Sequence, residues 1–277
     1  MKTRIVADQT RYQRMTTQEL RESFLIESLF QPDVVELIYT DVDRAVIGSV
    51  VPTEERVALG TSKSQLASEY FAERREIGII NTGGEGAVIV DGKTFAMENC
   101  DGLYIGRGSR RIEFESRVAA EPAKFFLMSY PAHTTYPTTH ARRAQAEAVN
   151  LGALKDANQR TIYKYIHPKG IASCQLVMGF TQLKEGSIWN TMPPHTHSRR
   201  TEVYLYFNVD AAARVFHMMG LPHETRHLLV KNGQAVISPS WSIHAGAGTQ
   251  NYSFIWAMGG ENQAFEDMDQ VAVGDLR

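Results

Sequence analysis

Cysteine is almost absent from this chain: Cys100 and Cys174 are the two in 277 residues, and they lie far apart. That excludes a disulfide framework, a CxxC redox pair and a cysteine-rich zinc module. No window approaches the ~20 consecutive apolar residues of a membrane-spanning helix. The opening MKTRIVADQTRYQRMTTQEL is polar and lacks the apolar centre of a secretion signal. An excess of one charge is missing too: 29 Lys+Arg against 31 Asp+Glu give a formal net charge of −2 and a pI near 6.5. Neither nucleic acid nor an anionic membrane is therefore expected as a partner. What remains is 43% hydrophobic and 22% charged, enough for a sizeable core in one large domain or two ordinary ones. A soluble, cytoplasmic protein is the expectation.

Residues 1–30 read as a helical start. Thr16 or Thr17 can cap a segment whose Leu20, Phe24, Leu25 and Leu29 suit one helix face. From about Val34 the texture changes to short β-rich runs between turn residues, such as VVELIYT, RAVIGSVV, GAVIVDG, RIEFES and KFFLMSYP. VDGK at 90–93 is a two-residue hairpin candidate, whereas GGEG at 83–86 precedes no helix and is not a nucleotide fingerprint. The Ala-rich stretch ARRAQAEAVNLGALKDANQR reads as a linker with a short helix and sets a domain boundary near 150. Strand runs then resume with TIYKYI, CQLVMGFTQL, EVYLYFNV, ARVFHMM and YSFIWAMGG. The spacing predicts an all-β fold, and the matching halves predict a duplicated domain, 1–150 and 151–277.

The chemistry concentrates in GSIWNTMPPHTHSRRTEVYLYFNV, residues 186–209. His195 and His197 sit two apart, so on a strand both imidazoles face the same side. Four residues of turn follow, and Glu202 opens the next strand with its carboxylate able to meet them. His244, in SPSWSIHAGAG, can close the set from a distant strand. Three imidazoles and one carboxylate suit Zn, Fe, Mn, Co or Ni, and ligand type alone does not choose among them. If alternation continues beyond Glu202, Tyr204 and Tyr206 share the ligand-facing side. His217 and His227 lie in apolar strand runs and are expected in the core or behind the ligands, while His133 and His140 belong to the PAHTTYPTTH loop.

The order HxH, Glu, later His resembles the cupin pattern. That resemblance implies two tandem cupin-type jelly-roll barrels, a bicupin, with a few short helices. Setting Glu76 against Glu202 puts Glu69 opposite His195, Phe71 opposite His197 and Arg111 opposite His244. On that register the first half lacks three of four ligands, so one metal per chain is expected, in the C-terminal domain.

A closer resemblance covers nearly the whole chain. The strings YFAERREIGIIN, PAHTTYPT, WNTMPPHTHSRRTEVYLYFN, VFHMMG, ETRH, AVISPSWSIH and FIWAMGGENQAFEDMDQVAVGDLR resemble the 5-keto-4-deoxyuronate isomerase family of bacterial pectin and uronan degradation. Membership implies a cytoplasmic homohexamer with one Zn2+ per chain on His195, His197, Glu202 and His244. It also implies the conversion of 5-dehydro-4-deoxy-D-glucuronate to 3-deoxy-D-glycero-2,5-hexodiulosonate. Such a 1,2-shift passes through an enediolate and needs a proton carrier, for which Tyr204 and Glu261 are the candidates. Arg199 or Arg200, whichever faces inward, is the candidate clamp for the substrate carboxylate. Two other readings of the same ligand set are an Fe(II) cupin dioxygenase and a non-catalytic sugar-binding cupin.

Overall fold

The protein's structure, a computed structural model, describes residues 1–60 and 63–277. It is mostly strand, and no helix among the described residues is long and apolar enough to cross a membrane. The chain divides into two compact units.

The first unit comprises residues 1–4, 28–146 and 165–177. Its larger sheet runs Lys2–Arg4, Val35–Thr40, Val46–Val50, Phe125–Pro131, Arg75–Asn81, Gly102–Ile105, Thr139–Ala141. Its smaller sheet runs Val57–Ala58, Ile112–Ser116, Gly86–Val90, Lys93–Met97. The Asp91-Gly92 turn takes positive φ at both positions (50° and 84°), the type I′ geometry that suits the twist of a two-residue hairpin. Ile77, Ile79, Val88, Phe114, Phe125 and Leu127, drawn from both sheets, form one apolar core.

The second unit comprises residues 5–27, 147–164 and 178–277. Its seven-stranded sheet runs Glu147–Leu151, Arg160–Ile166, Val177–Leu183, Ser253–Gly260, Arg200–Phe207, Gln234–Ser238, Leu25–Ile26. Its four-stranded sheet runs Trp189–Asn190, Ile243–Gly248, Val215–Leu221, Glu224–Val230. Apart from flanking strands, the order matches that of the first unit strand for strand, as a duplication requires.

A single cut at 150 does not describe the units, because two segments cross it. Residues 5–27 join the second unit for a packing reason. The helix Thr17–Phe24 starts on a capping box, Thr16 with Glu19, and the rings of Tyr12 and Phe24 close on Trp241. The chain then adds Leu25–Ile26 to the exposed edge of Gln234–Ser238. Residues 165–177 join the first unit, where the buried Glu76 carboxylate accepts N–H bonds from Cys174, Gln175 and Leu176 at 2.7–2.9 Å. The Ala-rich stretch also differs from its linker-and-helix reading. Glu147–Leu151 is an edge strand paired to Arg160–Lys164, between two 3-10 turns. Pairing decides strand formation there more than propensity does.

The register between halves needs a one-residue correction, which turns every side chain to the other face. Arg75 pairs with Pro131 and Arg200 pairs with Gly260 at the same corner of their sheets, so Arg74-Arg75 corresponds to Arg199-Arg200. Ile77 then stands where Glu202 does, and Tyr70 and Ala72 stand where His195 and His197 do. Glu76 faces away from the core that holds Ile77 and Ile79, toward Tyr104. Glu69 and Arg111 are exposed, and Phe71 is core. The first unit is filled with apolar side chains at the level where the second carries polar ones.

Candidate metal centre

The strand Arg200–Phe207 lies between Gln234–Ser238 and Ser253–Gly260, hydrogen-bonded on both edges and buried throughout. Its alternation sends Arg200, Glu202, Tyr204 and Tyr206 to the interior face. His195 sits on a two-residue strand, His195–Thr196, paired with Asp269–Gln270. His244 comes from Ile243–Gly248 in the opposite sheet.

These elements bring four donor atoms together, all within 4.8 Å of one another. Among the described residues this is the one such group of three or more. His195 Nε2 lies 3.1 Å from His197 Nε2 and 3.0 Å from His244 Nε2. Glu202 Oε2 lies 3.0 Å from His197 Nε2 and 2.9 Å from His244 Nε2. Donors bound at about 2.0–2.2 Å to a single ion stand about 2.8–3.6 Å apart for angles between 90° and tetrahedral, so the spacing suits one cation.

Proton placement supports the same reading. His197 Nδ1 is 2.8 Å from the Asp267 carbonyl oxygen, which can only accept. Nδ1 therefore carries a ring proton, the tautomer in which Nε2 is the atom available to a metal. Burial alone would push the Glu202 carboxyl up, but the charge of His244 and hydrogen bonds from His197 and His244 hold it well below the usual range. Burial, with the charge of His244, lowers His195 to about 3. Near neutral pH the set presents an anionic carboxylate and a neutral His195, the protonation states that metal binding requires.

The cluster opens into a cavity of about 260 Å³, close to the lower end of ordinary small-molecule sites, about 300 Å³. Arg160, Arg200, Thr191, Tyr204 and Trp256 are among its walls.

A family model matches residues 32–274, and its description is the KduI/IolB family. The chain belongs to the KduI/IolB family. Over 277 residues, all of both chains, it is 51% identical to the 4-deoxy-L-threo-5-hexosulose-uronate ketol-isomerase of Caldicellulosiruptor bescii. The protein of the same name from Opitutus terrae is 54% identical over 264 residues, 95% of each chain. The fold is similar to an IolB-like protein of Salmonella typhimurium (TM-score 0.69, 12% identity, 90% of this chain and 96% of that one). It is also similar to Bacillus subtilis oxalate decarboxylase (TM-score 0.58, 10% identity, 83% and 71%). The architecture is cupin-like, and this KduI/IolB member is an isomerase.

Within this family member the candidate residues separate. Tyr204 is buried in the cavity wall, its hydroxyl 3.0 Å from Thr191 Oγ1. Arg200 is buried and lines the cavity; Arg199, in the turn just before the strand, points outward into an ion pair with Asp267 and Asp269. Glu261 is exposed and absent from the cavity wall. His217 is fully buried, with Nδ1 2.7 Å from Tyr206 Oη, whereas His227 is exposed on the outer sheet face beside Phe216. The strand register of Val215–Leu221 turns 217 inward and the paired strand turns 227 outward. Sequence reasoning missed Arg160 and Thr191. Arg160 lies 35 positions before His195, and no local motif ties it to the ligands.

Proposed function

We propose that this isomerase converts 5-dehydro-4-deoxy-D-glucuronate to 3-deoxy-D-glycero-2,5-hexodiulosonate in bacterial pectin and uronan breakdown, using one Zn2+ per chain. The observation that carries the reading is the four-donor cluster at a cavity walled by two arginines, in a chain whose relatives bear that reaction's name. His195, His197, Glu202 and His244 would hold the ion. When bound, zinc supplies positive charge for the oxygens of an enediolate without any redox change.

The chain's own groups do the rest. Arg160 and Arg200 give fixed positive charge in the wall, suited to a uronate carboxylate. Burial, reinforced by the negative charge of Glu202, raises the Tyr204 phenol well above its ordinary value. Its Oη therefore holds a proton at neutral pH, ready to be given to a substrate oxygen as charge develops there. Thr191 Oγ1 orients that hydroxyl. Phe254, Trp256 and Met258 form an apolar wall that keeps water from the reacting carbons.

We read the two units as tandem cupin barrels, the second carrying the metal, and the assembly as a cytoplasmic homohexamer. Light scattering at six times the 31.0 kDa chain mass is the test of assembly. Conversion of the uronate by native but not chelated protein, restored by zinc, supports the function. Stoichiometric iron with oxygen uptake would overturn it in favour of a dioxygenase.

A further inference from the structure

The segment after Gly260 is held in an unusual way. None of residues 261–270 is buried, yet Phe265 and Met268 contribute to the cavity wall and the Asp267 carbonyl accepts the Nδ1 proton of His197 at 2.8 Å. Polar bonds hold the segment where apolar burial is lacking. Arg200 donates to the carbonyls of Ala264 at 2.6 Å and Asp267 at 3.1 Å. Arg199 grips the Asp267 carboxylate, with Nε 2.8 Å and 3.0 Å from its two oxygens, and reaches Asp269 at 3.2 Å. Ser198 Oγ donates to Asp269 at 2.7 Å. Asn262 Nδ2 closes the loop onto Asp267 at 2.6 Å.

We propose that residues 261–270 form a strap latched beside the metal centre by Arg199, and that Arg199 is a positioning residue acting through Asp267 on His197. This rests on the reading of the cluster as a metal site. One residue, Asp267, carries both ends of the coupling: its carboxylate takes the Arg199 fork and its carbonyl fixes the proton of a ligand ring. A segment with few buried contacts opens locally at low cost. Release of the latch therefore frees the His197 tautomer and withdraws Phe265 and Met268 from the cavity wall together. Loss of a group that orients a ligand lowers metal affinity by about 10–100-fold.

The test measures hydrogen exchange across the chain and zinc release to an excess of chelator, for wild type, Arg199→Ala, Arg199→Lys and Asp267→Asn. Exchange in 261–270 is expected to rise in Arg199→Ala, in metal-free and zinc-loaded protein alike, with the sheets unchanged. Zinc release should quicken by about 10–100-fold, follow the same direction in Asp267→Asn, and recover in part in Arg199→Lys. Salt at 1 M, where the Debye length is about 3 Å, should speed release from wild type and have little effect on Arg199→Ala. That comparison reads the latch in wild type itself. Wild-type exchange and release in both Arg199→Ala and Asp267→Asn would overturn the latch. A wild-type protein that takes up no metal would instead overturn the metal reading, while exchange in the metal-free chain still judges the strap.

Discussion

Glu202→Gln isolates the one anionic donor of the cluster. The glutamine is nearly isosteric, and its strand is hydrogen-bonded on both edges, so the amide stays where the carboxylate was. Metal-free protein should lose little stability: the amide can still serve one of the two imidazole nitrogens, 2.9 Å and 3.0 Å away, and one neutral hydrogen bond changes stability by about 0.5–1.5 kcal/mol. Metal affinity should fall far more. A perturbed outer partner alone costs about 10–100-fold, and here a directly bound charge is removed, so the loss should be at least about 100-fold, or about 2.8 kcal/mol. Thermal unfolding with added zinc reads this directly. At a zinc concentration 100 times the wild-type Kd, binding stabilises wild type by about 2.7 kcal/mol, whereas a 100-fold weaker variant gains about 0.4 kcal/mol. A Glu202→Gln protein that keeps the wild-type zinc shift would refute the ligand assignment.

Tyr204→Phe should keep its zinc and lose about 10²–10⁴ in kcat; metal content and steady-state rates on the same sample decide, and near-normal kcat would remove Tyr204 from proton handling. Arg200→Ala should raise KM more than it lowers kcat. It should also cost about 1–3 kcal/mol in stability, because the charged hydrogen bonds from Arg200 to the carbonyls of Ala264 and Asp267 are lost, each carbonyl keeping one other donor; an unchanged KM would rule out substrate contact. Burial, with the charge of His244, lowers His217 to about 3 from an ordinary 6.5. Between those values the unfolded chain binds a proton that the folded chain refuses, so stability falls as pH drops below 6.5. The slope approaches about 1.4 kcal/mol per pH unit until pH nears 3. Urea melts at pH 7 and pH 5 should show a shallower decline in His217→Asn than in wild type, and equal slopes would contradict the assignment.

Local patterns carried the sequence reading furthest. His195, His197 and Glu202 lie within eight positions, and strand alternation alone predicts that Glu202, Tyr204 and Tyr206 share a face, as they do. His244, 42 positions beyond Glu202, joins the set in sequence only as a further imidazole on a later strand and through the order HxH, Glu, later His, a signal of type and order rather than of spacing. Arg160 and Thr191 were out of reach, since their place in the wall depends on which strands become neighbours. The Arg199-Arg200 pair shows a finer limit: which one points inward follows from the register, and that is set by pairing with Gly260 and Gly259. The same one-residue ambiguity misplaced Glu76 against Glu202. Glu147–Leu151 reads as linker because its residues have weak strand preference, yet the open edge of Arg160–Ile166 supplies the hydrogen bonds that order it. Residues 5–27 cross to the second unit through contacts with Trp241 and Val236, more than 200 positions away, beyond the reach of any local pattern.

The duplication accounts for how one fold holds both a filled core and a reactive site. Where the first unit places Ile77 and Ile79, the second places Glu202 and Tyr204, on strands of the same order and the same edge pairing. A handful of inward positions therefore separates an apolar interior from a polar cavity, with little demand on the sheets that carry them.

The most direct measurement is the rate of uronate isomerisation in one protein sample taken through chelation and metal return. Activity should vanish on chelation while the far-ultraviolet spectrum of the sheets persists, then return in proportion to zinc added, reaching full rate at one equivalent per chain. Full activity in protein shown to be free of metal would contradict the central claim, as would a plateau at two equivalents.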